Sequence, residues 1–108
     1  MSTQKQVKMN KEMRKHFADF VERESNKASL VTVTRCEIQS DFKNITVFVS
    51  VFPTESEQQV ESFLNRRKWD ARDYLKKKVR TRLIPFVEFK IDLGEKNRQK
   101  IDQLLKEV

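Results

Sequence analysis

Apolar residues recur along this chain with two periods, and the switches between them mark out its elements. From Asn10, the positions Met13, Phe17, Phe20 and Val21 fall at helical spacing and predict a helix of about four turns. Residues 1–8 are polar and read as a flexible tail, and 25–29 as a connector. Leu30 to Ile38 is rich in β-branched residues, but its apolar positions change parity: Val31 and Val33 share one face, Cys36 and Ile38 the other alternation. A bulge near Thr34-Arg35 reconciles them. After the turn-prone run Ser40 to Asn44, Ile45, Val47, Val49 and Val51 alternate with Thr46, Phe48 and Ser50, which predicts a hairpin.

Pro53-Thr54 ends the second strand, and a helix begins near Ser56 or Glu57 with Val60, Phe63 and Leu64 inward. Its apolar face continues through Ala71, Leu75 and Val79, but Arg67 falls where an apolar residue is expected. Asp70 is a candidate N-cap with Asp73 three residues on, so the spacing predicts two helices joined near Lys68 to Asp70, the second running to Arg82. Pro85 opens a third strand with Val87, Phe89 and Ile91 inward and Glu88 and Lys90 outward. A last helix is expected over 95–107, with Ile101, Leu104, Leu105 and Val108 on one stripe. The whole chain, 1–108, reads as one domain.

Charge changes the picture. The seventeen residues Arg66 to Arg82 hold nine basic and two acidic side chains, whereas the other 91 residues carry fourteen of each sign. The full net charge of +7 therefore sits on one element. A solubilising face mixes signs. A one-signed rod creates a local field that attracts polyanions, and nucleic acid is the partner it favours. With Ala71, Leu75 and Val79 inward, Arg66, Lys76, Lys77 and Arg80 project outward and Arg72 lies at a flank. Asp73, one turn before Lys77, should partly neutralise it. A helix from Asp70 to Arg82 would span about 20 Å and reach roughly five or six phosphates, lowering log K by roughly 4 to 5 per tenfold rise in salt. Lys5, Lys8 and Lys11 extend this footprint if the tail orders on RNA.

Composition excludes other classes. Gly94 is the only glycine, so no Walker loop, dinucleotide fingerprint or GxxG backbone clamp can exist. Binding must then come from side-chain charge. The lone Cys36 makes no internal disulfide and reads as inert core in a reducing compartment. The lone His16 borders the first helix's apolar stripe without companion ligands, and the carboxylates form no catalytic spacing. Neither a signal peptide nor a membrane span is evident, which predicts a soluble, cytoplasmic protein. A monomer is expected, with no catalysis, metal, cofactor, small-molecule substrate or membrane partner. Trp69, at the joint, either stacks on an exposed base or plugs the joint against the sheet, the plug being preferred.

The succession helix, strand, strand, kinked helix pair, strand, helix is that of an α+β, type II KH-like domain: a three-stranded sheet with helices on one face. Three segments bring a family into view: Leu30-Val31-Thr32-Val33-Thr34 with Glu37 to Phe42 and Ile45 to Val49; Arg80-Thr81-Arg82-Leu83-Ile84-Pro85 running into Val87-Glu88-Phe89; and Ile101-Asp102-Gln103-Leu104-Leu105. In their order and spacing the chain resembles the ribosome-binding factor A family over nearly its whole length. The resemblance implies a non-enzymatic factor that binds 16S-type rRNA in the free small ribosomal subunit or its precursor, supports late 16S rRNA maturation and matters in the cold. Independently of the resemblance, the charge pattern puts the RNA contacts at Arg66, Arg67, Lys68, Trp69, Arg72, Lys76, Lys77, Arg80 and Arg82, with Lys5, Lys8 and Lys11 in support. The alternative is a structural ribosomal protein or general nucleic-acid coat using the same basic helix. The family's interhelical alanine-x-glycine element aligns with Arg67-Lys68-Trp69 here, so the joint should be a shallower kink or a short non-helical step.

Overall fold

In the computed structural model, which describes residues 3–25, 28–80 and 84–94, three helices cover one face of a three-stranded sheet. The elements are α1 (Gln4–Glu24), β1 (Leu30–Ile38), β2 (Asn44–Phe52), α2 (Glu57–Arg66), α3 (Lys68–Lys78) and β3 (Phe86–Ile91). β1 and β2 form the expected antiparallel hairpin; β3 joins the far side of β2 in parallel, so β2 is central. These elements follow the type II KH-like order. The last helix expected from sequence lies outside the described residues.

Alternation does most of the work in the sheet. Val33, Cys36 and Ile38 from β1, Ile45, Val47, Val49 and Val51 from β2, and Val87 and Phe89 from β3 are buried beneath the helices. The register slips between Val33 and Arg35, where the parity change required a bulge. Met13, Phe17, Phe20 and Val21 supply the α1 side of the core, and Leu64, Ala71 and Leu75 the α2–α3 side. Phe17 meets Phe89 edge-to-face at 6.3 Å and 87°. Truncation of a ring so placed costs about 3–5 kcal/mol.

Three boundaries differ from the sequence reading. α1 starts at Gln4, not Asn10, because Thr3 and Gln6 close a reciprocal capping box and the Gln6 amide also donates to the Ile38 carbonyl. The polar positions that suggested a tail are those of a solvated helix face anchored to β1, where Asn10 Oδ1 also accepts from the Ile38 N–H. The break between α2 and α3 falls on Arg67 alone (φ −101°, ψ 11°), with its N–H donating to Leu64 O. Asp70 is therefore inside the first turn of α3 and caps nothing. Because Arg67 has negative φ, the step needs no glycine, which explains how Arg67-Lys68-Trp69 replaces a glycine-bearing joint. Finally, α3 stops at Lys78: Val79 is already extended at φ −122°, ψ 144°. Three lysines suit the negative end of a helix, and the half-buried, β-branched Val79 leaves it.

A candidate nucleic-acid interface

The α2–α3 pair runs antiparallel to β3 along its outer edge, and side chains from the helices close that edge. Glu61 accepts from the Ile91 N–H, the Asn65 amide pairs with both backbone groups of Phe89, and Arg72 donates twice to the Ile84 carbonyl. A helix pair tethered at three levels is a rigid carrier for the charges on its outer side.

Those charges divide into committed and available. Arg67 is committed: its guanidinium lies 3.4 Å from Glu24 and 3.5 Å from Asp70, and 5.5 Å from the Phe63 ring. Arg67 thus ties α1 to the α2–α3 joint. Arg72, expected at a flank, is half-buried and held by Nε and Nη2 on Ile84 O at 3.2 and 3.0 Å, with its guanidinium 4.5 Å from the Phe86 ring. Arg66, Lys68, Lys76, Lys77 and Arg80 are exposed, and no described carboxylate lies within 4.0 Å of any of them. The expected Asp73–Lys77 neutralisation is not realised as an ion pair among the described residues. Arg80 follows α3 instead of riding on it, and Arg82 lies outside the described residues. At 11 residues α3 spans about 16 Å, shorter than expected.

Lys78 is exposed, and its ammonium sits 5.5 Å from the Tyr74 ring. Lys5, Lys8 and Lys11 are exposed on ordered α1 rather than on a tail. Lys5 Nζ lies 5.2 Å over Phe42 in the β1–β2 turn, beside Lys43, whose carbonyl accepts from the Phe86 N–H. Lys5 therefore belongs to the end of the sheet where β3 begins.

Trp69 is no plug. It is 56% exposed and meets Phe86, itself 51% exposed, edge-to-face at 6.0 Å and 90°. Phe86 escaped the sequence reading, although its parity with Glu88 and Lys90 marks an aromatic on the solvent side of β3. Cys36 is buried, and burial pushes its thiol up to about 12 against a weaker opposing pull from Arg14. Among the described residues no cluster of three His, Cys, Asp or Glu could hold a metal ion, and no helix is long and apolar enough to cross a membrane.

Fold and surface together define a small α+β domain with helices on one side of a mixed sheet and a concentrated cationic exterior on the helix pair. The chain belongs to the ribosome-binding factor A family, whose model matches residues 5–105. It is 38% identical to ribosome-binding factor A of Thermodesulfovibrio yellowstonii over 72% of this chain and 66% of that protein, slightly under two thirds of the relative's length. Against the Natranaerobius thermophilus protein it is 33% identical over 100% of this chain and 85% of the relative. Among solved structures it is similar to the crystal structure of ribosome-binding factor A from Thermus thermophilus (TM-score 0.72, 21% identity, 80% of this chain and 94% of that one). A Thermus thermophilus homology model fitted into a cryo-EM map of a complex of the 30S particle with ribosome-binding factor A has a TM-score of 0.67 at 22% identity, covering 75% of this chain and 88% of that one.

Proposed function

We propose that this protein is a non-enzymatic assembly factor that binds the free small ribosomal subunit or its precursor through rRNA and supports late 16S rRNA maturation. The observation that carries this reading is the set of exposed cations on α2–α3 and its exit, Arg66, Lys68, Lys76, Lys77 and Arg80, with no acidic neighbour within ion-pair distance among the described residues. Family membership supports the partner, since a relative of this fold has been fitted into a 30S complex.

The mechanism follows from charge on a rigid support. Lysine and arginine tips on a tethered helix displace counterions from an RNA backbone, and the entropy of their release drives binding with little base preference. Because α2–α3 is pinned along β3, few backbone degrees of freedom are lost on docking. Lys5, Lys8 and Lys11 extend the footprint along α1, and Arg82 adds to it on sequence grounds. The protein acts as a cytoplasmic monomer, without cofactor, and its contribution is greatest in the cold, where misfolded rRNA helices persist longest.

Gradient fractionation of lysate tests this reading, with wild type compared to a triple variant, Lys76→Glu, Lys77→Glu and Arg80→Glu. Wild type should sediment with free small subunits and be absent from translating ribosomes; the variant, still folded by circular dichroism, should stay at the top. Co-migration of the two rejects the site. Wild type persisting on translating ribosomes would instead identify a structural ribosomal component.

A further inference from the structure

An exposed tryptophan packed against an exposed phenylalanine is unusual on a surface this charged, where 36% of residues are Asp, Glu, Lys or Arg. Trp69 and Phe86 stand at 90° with ring centroids 6.0 Å apart, so together they form a corner with two perpendicular aromatic walls. The Arg72 guanidinium lies 4.5 Å from the centre of Phe86 and 5.8 Å from that of Trp69, and it cannot drift because two of its donors are fixed on the Ile84 carbonyl. With Arg72 against Phe86, the indole is the broad face left for a flat ligand. The cleft at the base of the corner, lined by Lys68, Trp69, Arg72, Phe86 and Val87, is about 60 Å³, room for roughly two waters. A ligand must therefore lie on the indole, edge towards Phe86, and not insert.

Charge decides which flat group this is. Lys68, Arg72 and Lys76 follow one another at four-residue spacing along α3, and Trp69 shares a stripe with Arg72 and Lys76. An aromatic face interleaved with cations at helical spacing matches a nucleotide, whose base stacks while its phosphate meets the ammonium and guanidinium groups. A second copy of this chain would bring like charge to like. A lipid surface would leave the perpendicular walls without purpose. Three of the five guanidinium N–H groups of Arg72 are not used on Ile84, which leaves donors for a phosphate.

We propose that the Trp69–Phe86 corner, braced by Arg72 and flanked by Lys68, is a stacking site for a single unpaired nucleobase of the bound RNA. The inference deepens the proposed function and rests on it: charge supplies affinity, and the corner selects RNA that offers an extruded base. A factor equipped in this way discriminates rRNA whose local pairing is incomplete from rRNA whose helices have closed.

Trp69 is the sole tryptophan in the chain, so its emission reports on this site alone. The test titrates the full protein with a short single-stranded oligoadenylate, and in parallel with an abasic oligonucleotide of equal length and charge. Binding is read by anisotropy of a labelled strand and stacking by indole emission. Oligoadenylate should bind and quench the indole, and the abasic strand should bind roughly 5- to 150-fold more weakly without quenching. Trp69→Ala should reduce oligoadenylate binding to the abasic level, and Trp69→Phe should restore part of it. Unchanged emission on binding, equal quenching by the abasic strand, or full affinity in Trp69→Ala overturns the inference while the charge-based reading stands. Failure of both strands to bind at low salt removes the inference and the proposed function together.

Discussion

The side-chain amide of Asn65 reproduces a strand partner for Phe89: Oδ1 accepts from its N–H at 2.9 Å and Nδ2 donates to its carbonyl at 3.0 Å. An exposed strand edge is a template for unwanted pairing. Here one residue of α2 satisfies the β3 edge at a core residue, since Phe89 is only 1% exposed. The same contact fixes the height of the helix pair along β3, and hence the height of the cations and of Trp69.

Replacing Asn65 tests that coupling. Asn65→Leu strands both backbone groups and should destabilise the fold by about 1–3 kcal/mol. Asn65→Asp keeps the acceptor but sets a carboxylate against the Phe89 carbonyl, and should cost a similar amount. Chemical denaturation measures both, and amide exchange at Phe89 should accelerate selectively. Wild-type midpoints for both variants would show that the edge contact contributes nothing.

The partition of the arginines gives a second expectation. Arg67 is engaged by Glu24 and Asp70, so Arg67→Ala should leave RNA affinity within about twofold and cost roughly 0–1 kcal/mol of stability, as for an exposed ion pair. Lys76→Ala and Lys77→Ala should do the reverse, weakening RNA binding without moving the melting temperature. An Arg67 variant weaker in binding than either lysine variant would contradict the partition.

Salt titration counts the contacts. Five available cations predict a fall in log K of roughly 3.5 to 4.5 per tenfold rise in salt, depending on whether the RNA is single-stranded or paired. Each of Lys76→Gln and Lys77→Gln should lower that slope by about 0.7–0.9. A slope untouched by both would place the RNA elsewhere.

Cys36 sets an alkaline limit. Its folded-state value of about 12 stands above the ordinary 9.0 because burial penalises the thiolate. The native state therefore holds this proton more tightly than the unfolded chain. Its contribution is fully present below pH 9 and is lost as pH rises towards 12. Stability measured against pH should fall more steeply above pH 9 in wild type than in Cys36→Ala, and native protein should resist thiol alkylation at neutral pH. Parallel slopes, or prompt alkylation, would refute the burial.

Much of this fold can be read directly from residue order. Period-two alternation in Ile45 to Val51 places one face of β2 under helices in any arrangement that buries it, and the parity change at Thr34-Arg35 demands a bulge whatever the partner strand. The gathering of charge between Arg66 and Arg82 is likewise a property of the chain, as is the absence of a glycine clamp. Helix ends were less legible. The start of α1 depends on Gln6 reaching Ile38, thirty-two residues away, and the end of α3 on where Val79 leaves the helix.

Tertiary structure decided which cations are available and what stands beside them. Arg67 is engaged by Glu24, Arg72 is braced on the Ile84 carbonyl through two of its five donors, and Trp69 acquires a perpendicular neighbour in Phe86. Nothing local encodes those choices. A side chain's face follows from its place in a helical or alternating period, but its partner follows from which distant segment the packed core brings within 4 Å. Charge, in this protein, was written along the chain, and its availability was settled only when α2–α3 docked against β3.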